Sequence, residues 1–485
     1  MRLVLANGLI FFFSVSVAWA EPQSLPTTQS QLAISCPGVP FQNAPQTDLH
    51  EGRLHVPLDW HDPRDVRRIE IKYRIIGYQH VERPYLFLIG GGPGMASIRG
   101  YMATETLCGG GLLDHYRVVI MDQRGNGESS PLDRANPALT PEVVARYFSI
   151  RQITRDLGHL IQQFGRKDNE VVLLAHSAGG AVLSQYMADA AAGPRPQAVV
   201  YASSIPFTQT RFFLQQRFKK QIELNKKYMT NQMKADVRTI RARIRQINSQ
   251  INDESEKIPE GLLDVRYDDI NEKALAQELK TLAEPGLSDQ EFGQKLVNHR
   301  FVRFAMDRMM AALSAVWFDG HTELEFAEIN NWLSAEERDW MLLERRAIKS
   351  LQRSKWFIDQ FGADTELQLR VAGRRYSFEF ADAPQIKKGL ATVPTLVLLG
   401  GNDNFLDAEQ SRREFETVLG GPQHAIEVFA GANHFETLSP ENGAFIAQKL
   451  MQLSLAAQGA ACDRALDRGP WPFPTASGRP WYLRD

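Results

Sequence analysis

A short apolar run that ends in a serine turn constrains the fold of this chain more than any other feature. The run Val171-Val172-Leu173-Leu174 leads into Ala175-His176-Ser177-Ala178-Gly179, and a helical pattern follows. Small residues stand two positions before and two positions after Ser177, so a strand and a helix can approach closely there. This arrangement is typical of a sharp strand-to-helix turn that exposes a nucleophilic hydroxyl. The sequence therefore predicts an α/β domain with Ser177 as candidate nucleophile.

Further apolar runs of strand length lie on both sides of this turn. Helical patterns, such as Thr154–Phe164 and Gly180–Ala192, alternate with them. Such alternation is typical of a mostly parallel central sheet that is flanked by helices. The other predicted strands are Arg53–Pro57, Ile69–Tyr73, Tyr85–Ile89, Val118–Met121, Ala198–Ala202, Thr395–Leu399 and Ala425–Phe429.

Residues 206–389 interrupt this alternation and carry long helical patterns instead. We predict that they form a helical cap inserted between a first part of the core, 48–205, and a second part, 390–455. The stretch Arg211–Gln250 is strongly basic. Apolar residues recur within it at helical spacing, which favours a solvated helix face. A nucleic-acid-binding or membrane-binding surface is the alternative interpretation.

The composition excludes several classes of protein. Hydrophobic residues make up 43 % of the 485 residues, charged residues 23 %, and the formal net charge is −2. These values are typical of soluble globular proteins and exclude a collagen, a disordered chain and a multi-span membrane protein. The nearly balanced charge also argues against nucleic acid as the main partner.

The first twenty residues predict a secretory signal peptide. Arg2 precedes the mostly apolar run Leu3–Val17, and Ala18-Trp19-Ala20 matches a cleavage signal. We therefore expect an exported protein, periplasmic or secreted, without stable membrane insertion after cleavage; an uncleaved membrane anchor is the alternative. Residues 21–47 predict a flexible lead-in, and residues 456–485 a proline-rich tail.

The three cysteines, Cys36, Cys108 and Cys462, all lie in the part that would be exported. They allow at most one intramolecular bridge, with three possible pairings. Cys36 and Cys108 flank the first predicted strands, which favours that pair but leaves the other two open. None stands at metal-ligand spacing from a second cysteine or a histidine. We expect no metal and no cofactor.

A glycine-rich loop, Gly90-Gly91-Gly92-Pro93-Gly94, follows the strand Tyr85–Ile89. Glycines let the backbone turn so that an N–H faces a substrate carbonyl. The second donor would be the N–H of Ala178, directly after the nucleophile. A phosphate-binding loop is the alternative, but neither G-x-x-x-x-G-K nor G-x-G-x-x-G is present.

Two later strands end in an acidic turn and a histidine turn. Asp403 follows Thr395–Leu399, and His434 follows Ala425–Phe429. The chain order Ser177, Asp403, His434 is that of the α/β-hydrolase triad, with His434 as base and Asp403 as its orienting acid. Asp407 is the reserve candidate for the acid.

Three other polar residues near these motifs are interpreted as structural or pocket residues and not as catalytic ones. His176, the neighbour of Ser177, is interpreted as a pocket or packing residue. Asp122 and Arg124, which follow the strand Val118–Met121, are interpreted as structural residues that brace the loop beneath the oxyanion strand.

The motifs GGGPG, DQRGNGESS, AHSAGG, GGND and GANH occur in this order. Together they resemble the proline iminopeptidase and tripeptidyl aminopeptidase family of α/β-hydrolases, and Val56–Pro63 is similar to the opening of the exported branch. The resemblance covers roughly residues 48–205 and 390–450. It implies a helical cap, a Ser177–Asp403–His434 triad, and an oxyanion hole formed by the N–H groups of Gly92 and Ala178.

The resemblance implies an exported, cofactor-free serine hydrolase, most simply an aminopeptidase that cleaves peptide N-termini through an acyl-enzyme. A carboxylesterase or lipase on the same triad is the first alternative. A ligand-binding homologue without turnover is the second, from a different functional class. Epoxide hydrolase and dehalogenase chemistry is disfavoured, because Ser177 occupies the position where those enzymes need a carboxylate.

Overall fold

The computed structural model describes the core of the chain and part of the predicted cap. The described residues are 49–91, 96–102, 112–130, 143, 146–164, 171–208, 219, 222–223, 226, 230–259, 272–298, 333–339, 342, 381–403 and 405–457. The predicted signal peptide, the lead-in, the three cysteines, Gly92 and nearly all of the tail lie outside them. Within the described residues, no helix has both the length and the apolar character needed to cross a bilayer.

An eight-stranded sheet forms the centre of the fold, with strand order β1-β2-β4-β3-β5-β6-β7-β8. The first two strands pair antiparallel, and β2 runs antiparallel to β4; all other neighbours are parallel. Every predicted strand is confirmed. The bounds are β1 Leu49–Pro57, β2 Arg68–Ile76, β3 Tyr85–Ile89, β4 Arg117–Met121, β5 Val171–His176, β6 Ala198–Ala202, β7 Thr395–Gly400 and β8 His424–Phe429.

The central strands are apolar along their length because helices cover both faces of the sheet. All residues of β3, β4, β5, β6 and β7 are buried. On one face the core includes residues of α2 Ile150–Phe164, α3 Gly179–Ala188, α7 Ala383–Leu390 and α8 Ala408–Val418. On the other face it includes residues of α1 Ser97–Met102 and α9 Pro440–Ala457.

The helix α7 corrects the predicted boundary of the insertion. Residues 383–389 were assigned to the cap, yet Ile386 and Leu390 are buried in the same core as α3 and α8. A Cβ added to Gly389 would lie 1.9 Å from the carbonyl oxygen of Met187 in α3. Such close helix packing places α7 in the core layer, so the second part of the core begins before residue 390.

The described part of the predicted insertion contains three further helices: α4 Asn231–Asn248, α5 Glu272–Ala283 and α6 Asp289–Asn298. Helix α4 begins at Thr230, whose side chain accepts a hydrogen bond from the N–H of Met233 at 3.2 Å. Its buried side includes Val237, Ile240 and Ile244. Of its five basic residues, three are exposed and two are half-buried: Lys234, Arg238 and Arg245 are exposed, and Arg241 and Arg243 are half-buried. This amphipathic pattern agrees with the solvated-face interpretation of the basic stretch.

Asp122 and Arg124 act as the structural braces that the sequence predicted. Arg124 is fully buried and pairs with Asp156 through two hydrogen bonds of 2.6 Å. It also donates to the carbonyl of Leu58 at 2.8 Å. Asp122 accepts the N–H of Ile98 at 2.9 Å and so fixes the first turn of α1 beside the glycine-rich loop.

Candidate active site

Ser177 lies at the sharp turn between β5 and α3, at the carboxyl edge of the parallel strands. Its φ is +54°, in the left-handed region that non-glycine residues rarely adopt. The Ser177 N–H donates to the carbonyl of Ala202 at 3.0 Å, and the Ser177 carbonyl accepts from the Ser204 hydroxyl at 2.6 Å. Backbone strain held in this way is typical of functional sites. The turn therefore presents the Ser177 side chain as the sequence predicted.

The two glycines after Ala178 permit the tight turn. A Cβ on Gly179 would lie 2.3 Å from the carbonyl oxygen of Ile89, the last residue of β3. A Cβ on Gly180 would lie 1.9 Å from the hydroxyl of Ser204. Both positions must lack a side chain, because the start of α3 passes directly over the ends of neighbouring strands.

Asp403 and His434 form a buried pair at the ends of β7 and β8. Asp403 Oδ2 lies 2.8 Å from His434 Nδ1, and the two residues are 1 % and 5 % exposed. The other carboxylate oxygen of Asp403 accepts the N–H groups of Phe405 at 2.7 Å and Leu406 at 3.0 Å. Because the carboxylate accepts at Nδ1, neutral His434 carries its proton there and leaves Nε2 as a free base.

Opposing effects set the ionisation of Asp403. Burial alone raises the pKa of its carboxyl group. The charge of His434, its hydrogen bond and the N–H groups of Phe405 and Leu406 outweigh burial, so the pKa of Asp403 lies below its ordinary value. Asp403 is therefore ionised at neutral pH and can stabilise a protonated His434.

The structure brings His434 beside the turn that carries Ser177. The rings of His434 and His176 lie 4.9 Å apart between centroids, and His176 directly precedes Ser177. The hydrogen bonds of the described residues include none between Ser177 Oγ and His434 Nε2. Hydrogen bonds of this kind are often long in ligand-free enzymes and shorten when substrate binds.

The predicted oxyanion donors are placed in part. Ala178 is the N-cap residue of α3, and the first N–H groups of a helix have no intrahelical acceptor. Gly91 lies against the nucleophile, since a Cβ there would be 2.7 Å from Ser177 Cβ. The carbonyl of Gly90 accepts from the side chain of Gln123 at 3.2 Å, which holds this strand end from below. Gly92 lies outside the described residues.

Sequence reasoning missed the contacts of His176. The sequence predicted a pocket or packing residue; the side chain is buried, and both of its ring nitrogens also make hydrogen bonds. Its Nδ1 lies 2.7 Å from the hydroxyl of Tyr101, and its Nε2 lies 2.9 Å from the carbonyl oxygen of His434. No motif could have paired Tyr101 with His176, since the two are 75 residues apart in the chain.

The reserve acid Asp407 has a different role. Its side chain accepts the N–H of Gln410 at 2.8 Å and caps the start of α8, and it pairs with Lys219 at 3.0 Å. Asp403 is therefore the residue that meets His434. Among the described residues, no group of three or more histidine, cysteine, aspartate or glutamate side chains is placed to hold a metal ion.

Two aromatic side chains flank His434 and remain open to solvent. Phe405 is 45 % exposed and its ring centroid lies 4.6 Å from that of His434. Phe435 is 46 % exposed and packs edge-on against His434, with ring centroids 5.5 Å apart. They form an apolar flank around the ring of His434.

Replacing Gly91 with alanine should lower kcat/KM by about 10²-fold or more, because misplacing a reacting group by ~1 Å costs that much. The new Cβ would lie 2.7 Å from Ser177 Cβ and 3.2 Å from Ser177 Oγ. The matched control is Gly420→Ala, at an exposed position where a Cβ meets nothing within 4 Å. Equal rates for the two variants, measured on an ester substrate, would contradict the close contact.

The buried ring of His176 predicts a pH dependence of stability. Burial, and then the charge of His434, lower the pKa of His176 from 6.5 to about 3. Below its ordinary pKa the unfolded chain takes up a proton that the folded protein does not, so this contribution to stability is lost as the pH falls from 6.5 toward 3. Between about pH 7 and about pH 5, the free energy of unfolding of His176→Gln should therefore fall by about 2 kcal/mol less than that of the wild-type protein. Urea titrations of both proteins measure the difference, and equal losses would show that the folded protein protonates His176 as readily as the unfolded chain does.

The sequence is similar to those of known proteins. A model of the alpha/beta hydrolase family matches residues 86–447. A proline iminopeptidase of Aeromonas sobria is 33 % identical over 135 residues, which are 26 % of this chain and 30 % of that protein. The match thus spans less than a third of that relative's length.

Two solved structures are similar at low sequence identity. An esterase from Rhodococcus sp. has 15 % identity, covers 84 % of this chain and 99 % of its own, and has a TM-score of 0.38. A bromoperoxidase from Bacillus anthracis has 16 % identity, covers 81 % and 98 %, and has a TM-score of 0.37. The family model spans the strands that carry Ser177, Asp403 and His434. This chain belongs to the alpha/beta hydrolase family.

Proposed function

We propose that this hydrolase is a serine aminopeptidase of the proline iminopeptidase or tripeptidyl aminopeptidase type, which acts on peptides with a free N-terminus. Ser177 is the nucleophile, His434 the general acid and base, and Asp403 the residue that orients and charges His434. The observation that carries the proposed triad is the buried Asp403–His434 pair, 2.8 Å apart, beside a serine held at positive φ. The choice of an aminopeptidase rests on the sequence.

Acylation begins when Ser177 Oγ attacks the substrate carbonyl. His434 Nε2 takes the hydroxyl proton, and ionised Asp403 stabilises the imidazolium that results. The negative charge on the substrate oxygen is stabilised by the N–H of Ala178, together with a donor from the glycine-rich loop, for which Gly92 is our candidate. Each such donor typically contributes a factor of about 10²–10³ to the rate.

The leaving group departs on the side of His434, because the proton it needs comes from Nε2. Phe405 and Phe435 flank that ring, so the leaving group passes along an apolar surface. His434 then activates a water molecule, which hydrolyses the acyl-enzyme and restores the Ser177 hydroxyl.

The choice of peptides over esters is supported by the sequence. The ordered motifs resemble the iminopeptidase family, and the partial match to the Aeromonas sobria protein points the same way. Ester hydrolysis uses the same nucleophile, base and oxyanion donors, so a carboxylesterase is the rival that an experiment must separate.

The test is a hydrolysis panel on protein that starts at Glu21, with Ser177→Ala as control. The panel contains proline, alanine and tripeptide p-nitroanilides with free amines, the same anilides with blocked amines, and p-nitrophenyl acetate. All release a chromophore, so a single absorbance assay ranks them by kcat/KM.

Cleavage of free anilides but not of blocked ones, lost in Ser177→Ala, is the expected result. It would also show whether one residue or three are removed at a time. Cleavage of the acetate ester without any anilide would exclude the aminopeptidase and leave an esterase on the same residues.

The proposal includes export, since residues 1–20 match a signal peptide. Expression of the full chain in a Gram-negative host should yield a periplasmic protein whose first residue is Glu21. An intact mass that retains residues 1–20 would contradict export by this route.

A further inference from the structure

A chain of hydrogen bonds crosses the floor of the site and joins two separate loops through helix α1 and the end of β5. The N–H of Gly91 donates to the Tyr101 hydroxyl at 3.3 Å. That hydroxyl lies 2.7 Å from His176 Nδ1, and His176 Nε2 lies 2.9 Å from the carbonyl oxygen of His434. The chain thus runs from the loop after β3, through the residue before the nucleophile, to the loop after β8.

The chemistry of the two ends fixes the direction of every bond. A carbonyl oxygen can only accept, so His176 Nε2 carries the ring proton. In the singly protonated ring Nδ1 is then an acceptor, and Tyr101 donates its hydroxyl proton to it. The Tyr101 oxygen in turn accepts the N–H of Gly91. These hydrogen bonds form together only when His176 is neutral, with its proton on Nε2, and Tyr101 keeps its hydroxyl proton.

The surroundings favour that state. His176 and Tyr101 are each 1 % exposed, and their rings meet edge-on at 5.8 Å between centroids. Burial lowers the pKa of His176 and raises that of Tyr101. The ring therefore stays neutral and the phenol stays protonated. The titratable groups that act electrostatically on His176 are His434 and Asp403, the pair proposed for catalysis.

One end of this hydrogen-bond chain lies beside Ser177, and the other end lies at His434. Gly91 contacts Ser177 and directly precedes Gly92, our candidate oxyanion donor. The carbonyl that accepts from His176 belongs to His434 itself. The sheet fixes the ends of β3, β5 and β8, but the loops beyond those ends need their own restraint.

We infer that His176 and Tyr101 are positioning residues, which hold Gly91, beside Ser177, and the His434 loop at the separation that catalysis at Ser177 requires. This inference rests on the proposed function and adds two residues to its machinery. Neither touches the reacting atoms. The competing explanation is that the two side chains only fill space beneath the turn.

Variants of similar volume separate the two explanations. Glutamine at position 176 supplies an acceptor and a donor at a spacing like that of the two ring nitrogens, while methionine fills the space without a donor. Tyr101→Phe removes only the hydroxyl. The control is Tyr186→Phe. Tyr186 is another buried tyrosine, which lies in α3 outside this hydrogen-bond chain, and its hydroxyl donates to the carbonyl of Pro194 at 2.5 Å.

The kcat and KM of each full-length variant are measured with p-nitrophenyl acetate, with the rate of Ser177 labelling by a fluorophosphonate as a second readout. We expect His176→Met to lose about 10²-fold in kcat, in the range for a reacting group misplaced by ~1 Å, with KM within about threefold of wild type. Tyr101→Phe should lose about 10-fold, and His176→Gln should recover most of the methionine variant's loss. Tyr186→Phe should match wild type, and thermal melts confirm that each variant is folded.

Two results would overturn the inference. One is equal kcat for His176→Met and His176→Gln, which would assign the effect to shape. The other is a kcat for Tyr101→Phe and His176→Met within about threefold of wild type while Ser177→Ala is inactive. If Ser177→Ala itself retains the wild-type rate, the proposed function fails first, and the inference fails with it.

Discussion

Ser177→Ala should lower kcat by about 10⁵-fold or more on any substrate that the protein turns over. Alanine removes the only atom that forms the acyl-enzyme, while Asp403, His434 and the oxyanion donors stay in place. The residual rate should be that of water attacking a bound, polarised substrate, which typically exceeds the uncatalysed rate by about 10³–10⁴. Initial rates at saturating substrate, on p-nitrophenyl acetate and on the free anilides, measure the loss.

The turn itself should survive this change. Alanine fits the space of the serine side chain, and the bonds that hold the turn are made by the backbone of residue 177. The positive φ of +54° is retained at some cost in either protein. A melting temperature near that of wild type is therefore expected. A folded Ser177→Ala protein with wild-type turnover would remove the nucleophile from the account.

Asp403→Asn should lower kcat by about 10⁴-fold. The carboxylate accepts at both oxygens, from His434 Nδ1 and from the N–H groups of Phe405 and Leu406. An amide can satisfy the two backbone donors only with its oxygen, which turns its NH₂ group toward His434. His434 must then carry its proton on Nε2, and it can no longer take the proton of Ser177.

The chain offers a matched control four residues away. Asp407→Asn makes the same chemical change in the same turn, at the carboxylate that caps α8. Asparagine caps helices about as well as aspartate, so kcat should stay within about threefold of wild type. A larger loss in Asp407→Asn than in Asp403→Asn would reassign the acid of the triad.

Most of the core was predictable from the sequence, because a strand that is buried on both faces consists of mostly apolar residues. Each of the five fully buried strands, β3 to β7, reads as a short, mostly apolar run, and all eight predicted segments are strands. That Ser177, Asp403 and His434 come together was predictable for a related reason. Ser177, Asp403 and His434 each follow such a run, and the carboxyl ends of parallel strands meet along one edge of a sheet.

What the sequence did not predict depends on contacts between distant segments. His176 meets Tyr101 and the His434 carbonyl, and nothing in the local pattern at any of these positions encodes the other two. The helix Ala383–Leu390 looked like the end of the insertion because the next strand signal comes only at residue 394. Its packing on α3, through Gly389, assigns it to the core.

The central claim is that Ser177 is an activated nucleophile, and covalent labelling tests it most directly. Wild-type protein is treated with a fluorophosphonate, digested, and mapped by mass spectrometry, with Ser177→Ala and Asp403→Asn in parallel. The account predicts one phosphonyl group per chain, on Ser177 in wild type, none at residue 177 in the alanine variant, and much slower labelling in Asp403→Asn. An unlabelled Ser177 in folded wild-type protein would contradict the account and favour a homologue that binds ligands without turnover.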